Sequence, residues 1–148
     1  MKASPSIWNL RVYGLVIQDH KVLLTDEIQH GVRMTKFPGG GMEHGESFSE
    51  CLHREFMEEM QQSIVVGDYY YHNDFLQLSA FNAQEQLISF YYKVQLIEPH
   101  HFNVVEKAFT FRAGQEQCFR WVDICALKIE ELSFPIDKIV AQKLIDTL

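Results

Sequence analysis

Apolar and polar positions alternate along the chain in two rhythms, and the change of rhythm marks out the elements. Residues 8–17 (WNLRVYGLVI) are dense in β-branched and aromatic side chains and read as a strand. Asp19-His20-Lys21, after Gln18, fits a hairpin turn before a second strand at residues 22–25 (VLLT). Residues 31–37 (GVRMTKF) form a shorter extended piece running into Pro38. From Ser47 the period lengthens. Phe48, Leu52, Phe56 and Met60 recur every fourth residue, the stripe of a helix, and Ser47 with Glu50 three residues on is a capping-box start.

Beyond that helix, residues 63–81 and 86–97 are rich in Val, Ile, Tyr and Phe and predict two strands, with NAQEQ at 82–86 as a hairpin loop. Residues 99–117 are irregular and predict a long, mobile loop. CFRWVDI at 118–124 reads as a further strand. Residues 125–132 (CALKIEEL) and 135–148 read as closing helices, with Pro135 at a favoured helix start. There is no repeat, low-complexity stretch or linker. Strands mixed with helices in this order predict an α/β fold, a sheet covered by helices on its faces, in one domain over residues 1–148.

Composition narrows the partners. At 47% apolar and 22% charged, the 148-residue chain is globular and long enough to bury a core without staples. A net charge of -7 argues against a nucleic-acid polymer as partner, since phosphate-backbone binding needs a basic surface. A small anionic ligand stays open, because a bound cation reverses the local sign. The odd set Cys51, Cys118 and Cys125, without a CxxC pair, argues against a disulfide scaffold and against a zinc knuckle. Without a signal-like apolar segment or a membrane-length run, the expectation is a soluble cytoplasmic protein.

The chemistry concentrates behind Pro38-Gly39-Gly40-Gly41, where Glu46, Glu50, Glu55, Glu58 and Glu59 crowd one segment and Arg54 is the nearest cation. Glu55, Glu58 and Glu59 fall within roughly a 100° arc of one helical face. Like charges at that spacing weaken a helix by about 0.2–0.5 kcal/mol per pair, and the helix dipole disfavours anions in the last turns. Arg54 can pair with Glu50 but cannot neutralise the set. A solvated acidic face is the plain reading. The sharper one is a site for a hard cation such as Mg²⁺ or Mn²⁺, which takes carboxylate oxygens together with substrate phosphates. The glycines let backbone approach a ligand closely, although an ordinary turn would use them too.

Taken together these residues resemble the Nudix box: Gly40, five residues, Glu46, seven residues, then Arg54-Glu55-Phe56-Met57-Glu58-Glu59. The resemblance departs at Gln61, where the family has Gly, and at Gln62, where it has an apolar residue. Gln at a left-handed helix end costs about 1 kcal/mol, unless the helix runs on. The resemblance implies an α/β/α sandwich with a mixed central sheet. It implies hydrolysis of a nucleoside diphosphate linked to another group X, with Mg²⁺ or Mn²⁺. It further implies that Glu55, Glu58 and Glu59, with the Gly40 carbonyl, hold the metal, while Arg54 and Glu46 orient those carboxylates. Gly39, Gly40, Gly41 and Glu46 would adjoin the substrate. The general base is open between Glu55, the first choice, and the loop residues Glu116 and Glu106. A Nudix domain that only senses its ligand is the rival reading. A homodimer fits family habit, though no stretch specifies it.

Other features carry less. Most of the aromatic residues at 69–71, 75, 81 and 90–92 are expected in the core, with one or two free to stack on a base. His100-His101 reads as a loop feature, and Cys51 as a small buried apolar residue without a base partner.

Overall fold

The computed structural model describes residues 4–148. Two strands and a tight turn start the chain: β1 (Ile7–Gln18) and β2 (Lys21–Gln29) are joined by Asp19 and His20 alone, both at positive φ as a primed two-residue hairpin requires. A second such turn, His30-Gly31, leads into β3 (Val32–Lys36), so β2 runs past the expected Thr25 end. The glycine run is itself a short strand, β4 (Gly39–Gly41), paired antiparallel to Arg11, Val12 and Tyr13 of β1. Helix α1 (Phe48–Met60) follows, then β5 (Ile64–His72), β6 (Glu85–Leu96), β7 (Gln117–Asp123) and α2 (Pro135–Asp146).

The strands form one mixed sheet in the order β3-β2-β1-β6-β5, with β4 on β1 and β7 on β2. β1 and β6 run parallel, and every other strand pair is antiparallel. Alternation along β1 sends successive side chains to opposite faces. Val12 and Val16 pack against Leu52, Phe56 and Met60 of α1, whereas Tyr13 and Leu15 pack with Ile136, Val140 and Leu144 of α2. The sheet thus lies between two helices, each with its own core, as an α/β/α sandwich.

Helix α1 begins as the sequence predicts. Ser47 caps the Glu50 amide at 3.1 Å, and the Glu50 carboxylate returns to the Ser47 amide at 3.1 Å. It ends on Gln61 in the left-handed conformation, φ 50 and ψ 40. Gln62 turns inward and is fully buried. Its amide satisfies the carbonyls of Ser63 and Ile97 and accepts from the His101 amide, anchoring the following loop where an apolar side chain could not.

Three expectations need correction. Residues 125–132 are no helix: two single 3₁₀ turns, 124–126 and 129–131, flank extended Leu127 and Lys128, placing Leu127 and Leu132 in the core beside α2. The strand expected over 63–81 stops at His72. Residues 73–84 then make an irregular excursion, held by Asn73 side-chain bonds to Phe75 and Leu87, in place of a tight hairpin. Of the clustered aromatics only Tyr91 is fully buried; Tyr69, Phe75 and Phe81 are exposed, since β5 is an edge strand and the excursion lies on the surface. The 99–117 segment is irregular as expected, with a bridge from Val104 to Phe119. The three cysteines are free, with Cys51 and Cys118 buried. Among the described residues, no helix is long and apolar enough to cross a membrane.

Candidate active site

Strand β4 lies under α1, and two glycines explain how closely. A Cβ on Gly39, whose φ is +146, would stand 2.1 Å from the Val12 carbonyl oxygen. A Cβ on Gly40 would stand 2.6 Å from the Glu55 carboxylate. Only glycine lets the β4 backbone pass beneath that acid.

Arg54 organises the segment. Its Nη2 and Nε meet the two Glu46 oxygens at 2.7 and 2.9 Å, its Nη1 reaches Glu55 at 3.0 Å and Glu58 at 3.3 Å, and Nη2 also donates to the Gly41 carbonyl at 2.9 Å. The expected partner Glu50 is occupied in the cap. Hydrogen bonds from Arg54 first, then from the Glu43 backbone, hold the Glu46 carboxyl down at about 2. Cys51 lies under this network, and burial pushes its thiol up to about 12, so it is inert as a nucleophile.

Glu59 differs from its neighbours. Burial raises its carboxyl to about 7, with Glu27 and Glu55 adding to the rise and Lys36 opposing it. Its Oε2 is buried without a hydrogen-bond partner among the described residues. Lys36 is buried as well. Burial would lower its ammonium, but Glu27 at 3.0 Å together with Tyr13 and Glu59 outweighs that and raises it. The same ammonium donates to the Gly39 carbonyl at 3.3 Å, tying β3 to the glycine strand.

The structure therefore brings Gly40, Gly41, Glu46, Arg54, Glu55 and Glu58 into one network, with Glu59 deeper beside Lys36 and Glu27. Among the described residues, no three His, Cys, Asp or Glu side chains already converge as a closed cation cage. Arg54 holds Glu55 and Glu58, and Glu58 is exposed. Glu106 and Glu116 are exposed on the 99–117 segment. The neighbour Gln117 is the one that turns toward Glu59, donating to Thr25 Oγ1 at 3.1 Å.

A cavity of about 830 Å³ opens beside these carboxylates, between β1, β3, the 77–85 segment and the start of α2. Lys36 and Arg11 link it to the acids: both line the cavity, Lys36 acts on Glu59, and Arg11 feels Glu55. Sequence reasoning missed Glu27, Lys36 and Asp137. Reading β2 on to the His30-Gly31 turn would have placed Glu27 in a strand interior, a warning of a buried charge that needs a partner.

A mixed sheet between two helices, with a glycine strand backed onto a carboxylate-rich helix, defines the class. The family model for the NUDIX domain matches residues 8–143, and the chain belongs to that family. No curated protein matches the sequence. Solved structures of similar fold include a NUDIX hydrolase from Nitrosomonas europaea, at 22% identity and TM-score 0.69, covering 94% of this chain and 88% of that one. A MutT NUDIX hydrolase from Burkholderia pseudomallei is similar at 15% identity and TM-score 0.70, covering 93% and 98%. An ADP-ribose pyrophosphatase from Streptococcus suis is similar at 16% identity and TM-score 0.59, covering 92% and 86%.

Proposed function

We propose that this chain, read as one Nudix domain over residues 1–148, is a divalent-metal-dependent diphosphohydrolase. It cleaves a nucleoside diphosphate linked to a group X into a nucleoside monophosphate and X-phosphate. The observation that carries the reading is Glu59: a half-buried carboxylate whose Oε2 is buried with no hydrogen-bond partner among the described residues, beside a Glu55 cradled on Gly40. Leaving such an oxygen unpaired costs about 1–3 kcal/mol, which a bound cation recovers.

The donors are hard oxygens and suit Mg²⁺ or Mn²⁺. Glu55, Glu58 and Glu59, with the Gly40 carbonyl, would hold the ion. When bound, it supplies neutralisation of diphosphate charge and a water of lowered pKa. Arg54 aims Glu55 and Glu58 and is itself fixed by Glu46. Glu55 gives Oε1 to Arg54, so its Oε2 is the atom we assign to take the water's proton; Glu116 and Glu106 are the alternatives. Gly39, Gly40 and Gly41 leave room for the diphosphate. The reading includes a cytoplasmic enzyme for small nucleotide-like substrates, not nucleic-acid polymers or membranes, and accommodates a homodimer.

The test is a hydrolysis panel with Mg²⁺ and Mn²⁺ over nucleoside triphosphates, nucleotide sugars, ADP-ribose, dinucleotides and coenzyme A, with Glu59→Gln as control. Turnover of one class that disappears in the variant supports the proposal. No turnover of any class by folded, metal-binding protein overturns it in favour of a ligand sensor.

A further inference from the structure

Helix α1 is too short for the strands it covers. Its 13 residues span about 20 Å, whereas β1 and β6, of 12 residues each, run about 40 Å. The cover ends at Phe48, the first residue of α1, which stacks on Phe90 at 4.4 Å. Phe90 pairs with Val12 in the parallel ladder. The next two rows on that face lie beyond the helix: Leu10 beside Ile88, then Trp8 beside Gln86, which in turn faces Leu78 across a bridge. Trp8 is 66% exposed and Leu10 37%, whereas Val12 is fully buried. The neighbouring excursion adds Leu76, at 62%.

Contiguous exposed apolar rows of this kind mark a contact surface, and their chemistry says which partner fits. The chain carries a net charge of -7, yet Trp8, Leu10, Gln86 and Ile88, which β1 and β6 aim at this face past Val12 and Phe90, are all uncharged. Along the adjoining strand, the Met42 amide donates to the Leu10 carbonyl, and the acid that follows, Glu43, is turned to Arg54 at 3.6 Å. A cationic partner would find no acid on these rows to pair with, and an anionic lipid surface would repel the protein around them. A second copy of this chain, also at -7, approaches at least cost where charge is absent. Gln86 supplies the centre. Its amide holds both donors and an acceptor, so two Gln86 side chains related by a two-fold axis satisfy each other, the self-complementarity an isologous interface needs. Trp8 buries against the partner's apolar row, as aromatic anchors do at interfaces. Sheets stacked about 10 Å apart leave room for one such layer of side chains from each copy.

We propose that this protein forms a two-fold dimer through the face of Trp8, Leu10, Gln86 and Ile88, sheet against sheet, with the paired Gln86 amides at the axis. The interface lies on the α1 side of the sheet. The 830 Å³ cavity takes the alternate residues of the same strands, among them Asn9, Arg11, Glu85 and Leu87, and so lies on the other side. The dimer therefore stands apart from the hydrolase reading, and its test needs no turnover.

The experiment is sedimentation equilibrium of the intact protein over a dilution series. The parent is expected to be a dimer that dissociates on dilution. Trp8→Glu, a surface change that keeps the fold, and Gln86→Glu, which sets two like charges at the axis, should each weaken dimerisation about tenfold or more. Val65→Glu, at another exposed apolar position on the edge strand β5, should leave it unchanged. Gln86→Cys in a Cys125→Ser background, where the remaining cysteines are buried, should give a covalent dimer with a short bismaleimide. Should Gln86→Glu not fold, Trp8→Glu and the cross-link decide the matter. A parent that is monomeric at every concentration overturns the proposal, as does a dimer equally tight in Trp8→Glu or one that Val65→Glu alone disrupts. A monomer that floats with phosphatidylcholine vesicles, and ceases to in Trp8→Glu, would overturn it too and give the face to lipid.

Discussion

The guanidinium of Arg54 closes a two-pronged ion pair on the Glu46 carboxylate, at 2.7 and 2.9 Å, and extends its remaining nitrogen to Glu55 and Glu58. A planar fork grips one carboxylate with two parallel bonds while its remaining nitrogen reaches the others; an ammonium is a point charge without that fixed geometry. Arg54→Lys should therefore keep the charge and lose the aim. Turnover and Mn²⁺ affinity are expected to fall about 10–100-fold, the usual loss when a ligand-orienting group is changed. Steady-state kinetics and a Mn²⁺ titration of the same preparation check this; parental values for both would remove Arg54 from the machinery.

Glu59→Gln should leave the fold intact and lower turnover by orders of magnitude. It should also raise stability in the absence of metal. A carboxyl raised to about 7 in the folded state, against about 4.3 when unfolded, costs stability progressively as pH climbs through that window. The neutral isostere avoids up to roughly 3 kcal/mol of this at pH 8. Thermal unfolding in chelator at pH 8 is the measurement, and a variant less stable than the parent contradicts the account.

Asp137 offers a second pH test. Burial raises its carboxyl to about 6, so between pH 4 and 6 the native state holds more protons than the unfolded chain. Stability from this group is greatest at low pH and declines as pH rises through 6. Asp137→Asn has no such slope. Relative to the parent it should gain up to roughly 3 kcal/mol between pH 4 and pH 7 in urea unfolding. A difference between the two proteins that does not change with pH refutes the assignment.

Gly40→Ala should spare the fold, because its backbone is not left-handed and the obstructing atoms belong to a flexible side chain. The new methyl displaces the Glu55 carboxylate. Mn²⁺ binding, followed calorimetrically, is expected to weaken about tenfold or more. Unaltered binding would detach Gly40 from the cation site.

Gln61→Gly relieves the left-handed helix end and should stabilise the protein by about 0.4–1 kcal/mol in urea unfolding. A loss of stability would mean that the Gln61 side chain makes up for its backbone.

What could be read directly from the chain was what is decided locally. The cap at Ser47 and Glu50, the four-residue stripe of α1 and the glycines before it all act within a few residues of themselves. The Asp19-His20 hairpin belongs to the same class. Glu27 and Lys36 looked like ordinary strand charges because their pairing depends on β2 and β3 folding together. Asp137 was hidden for a similar reason: its partner Tyr91 lies 46 positions away on another strand. Residues 125–132 misled because apolar residues at helical spacing also arise when two short turns each drop one side chain into a core. The aromatic residues of β5 misled because membership of a strand does not reveal that the strand is at an edge.

The parallel ladder of β1 and β6 has a consequence for how the molecule assembles. Ile7 meets Glu85 and Val16 meets Val94, so the central pairing waits for a partner almost eighty residues downstream. The hairpins of β1 with β2 and β2 with β3 can zip early, through contacts between near neighbours. Closing the long excursion that contains the glycine strand and α1 comes later and sets the pace. On a ribosome, the side of β1 that pairs with β6 has no partner strand until the chain as far as β6 has emerged.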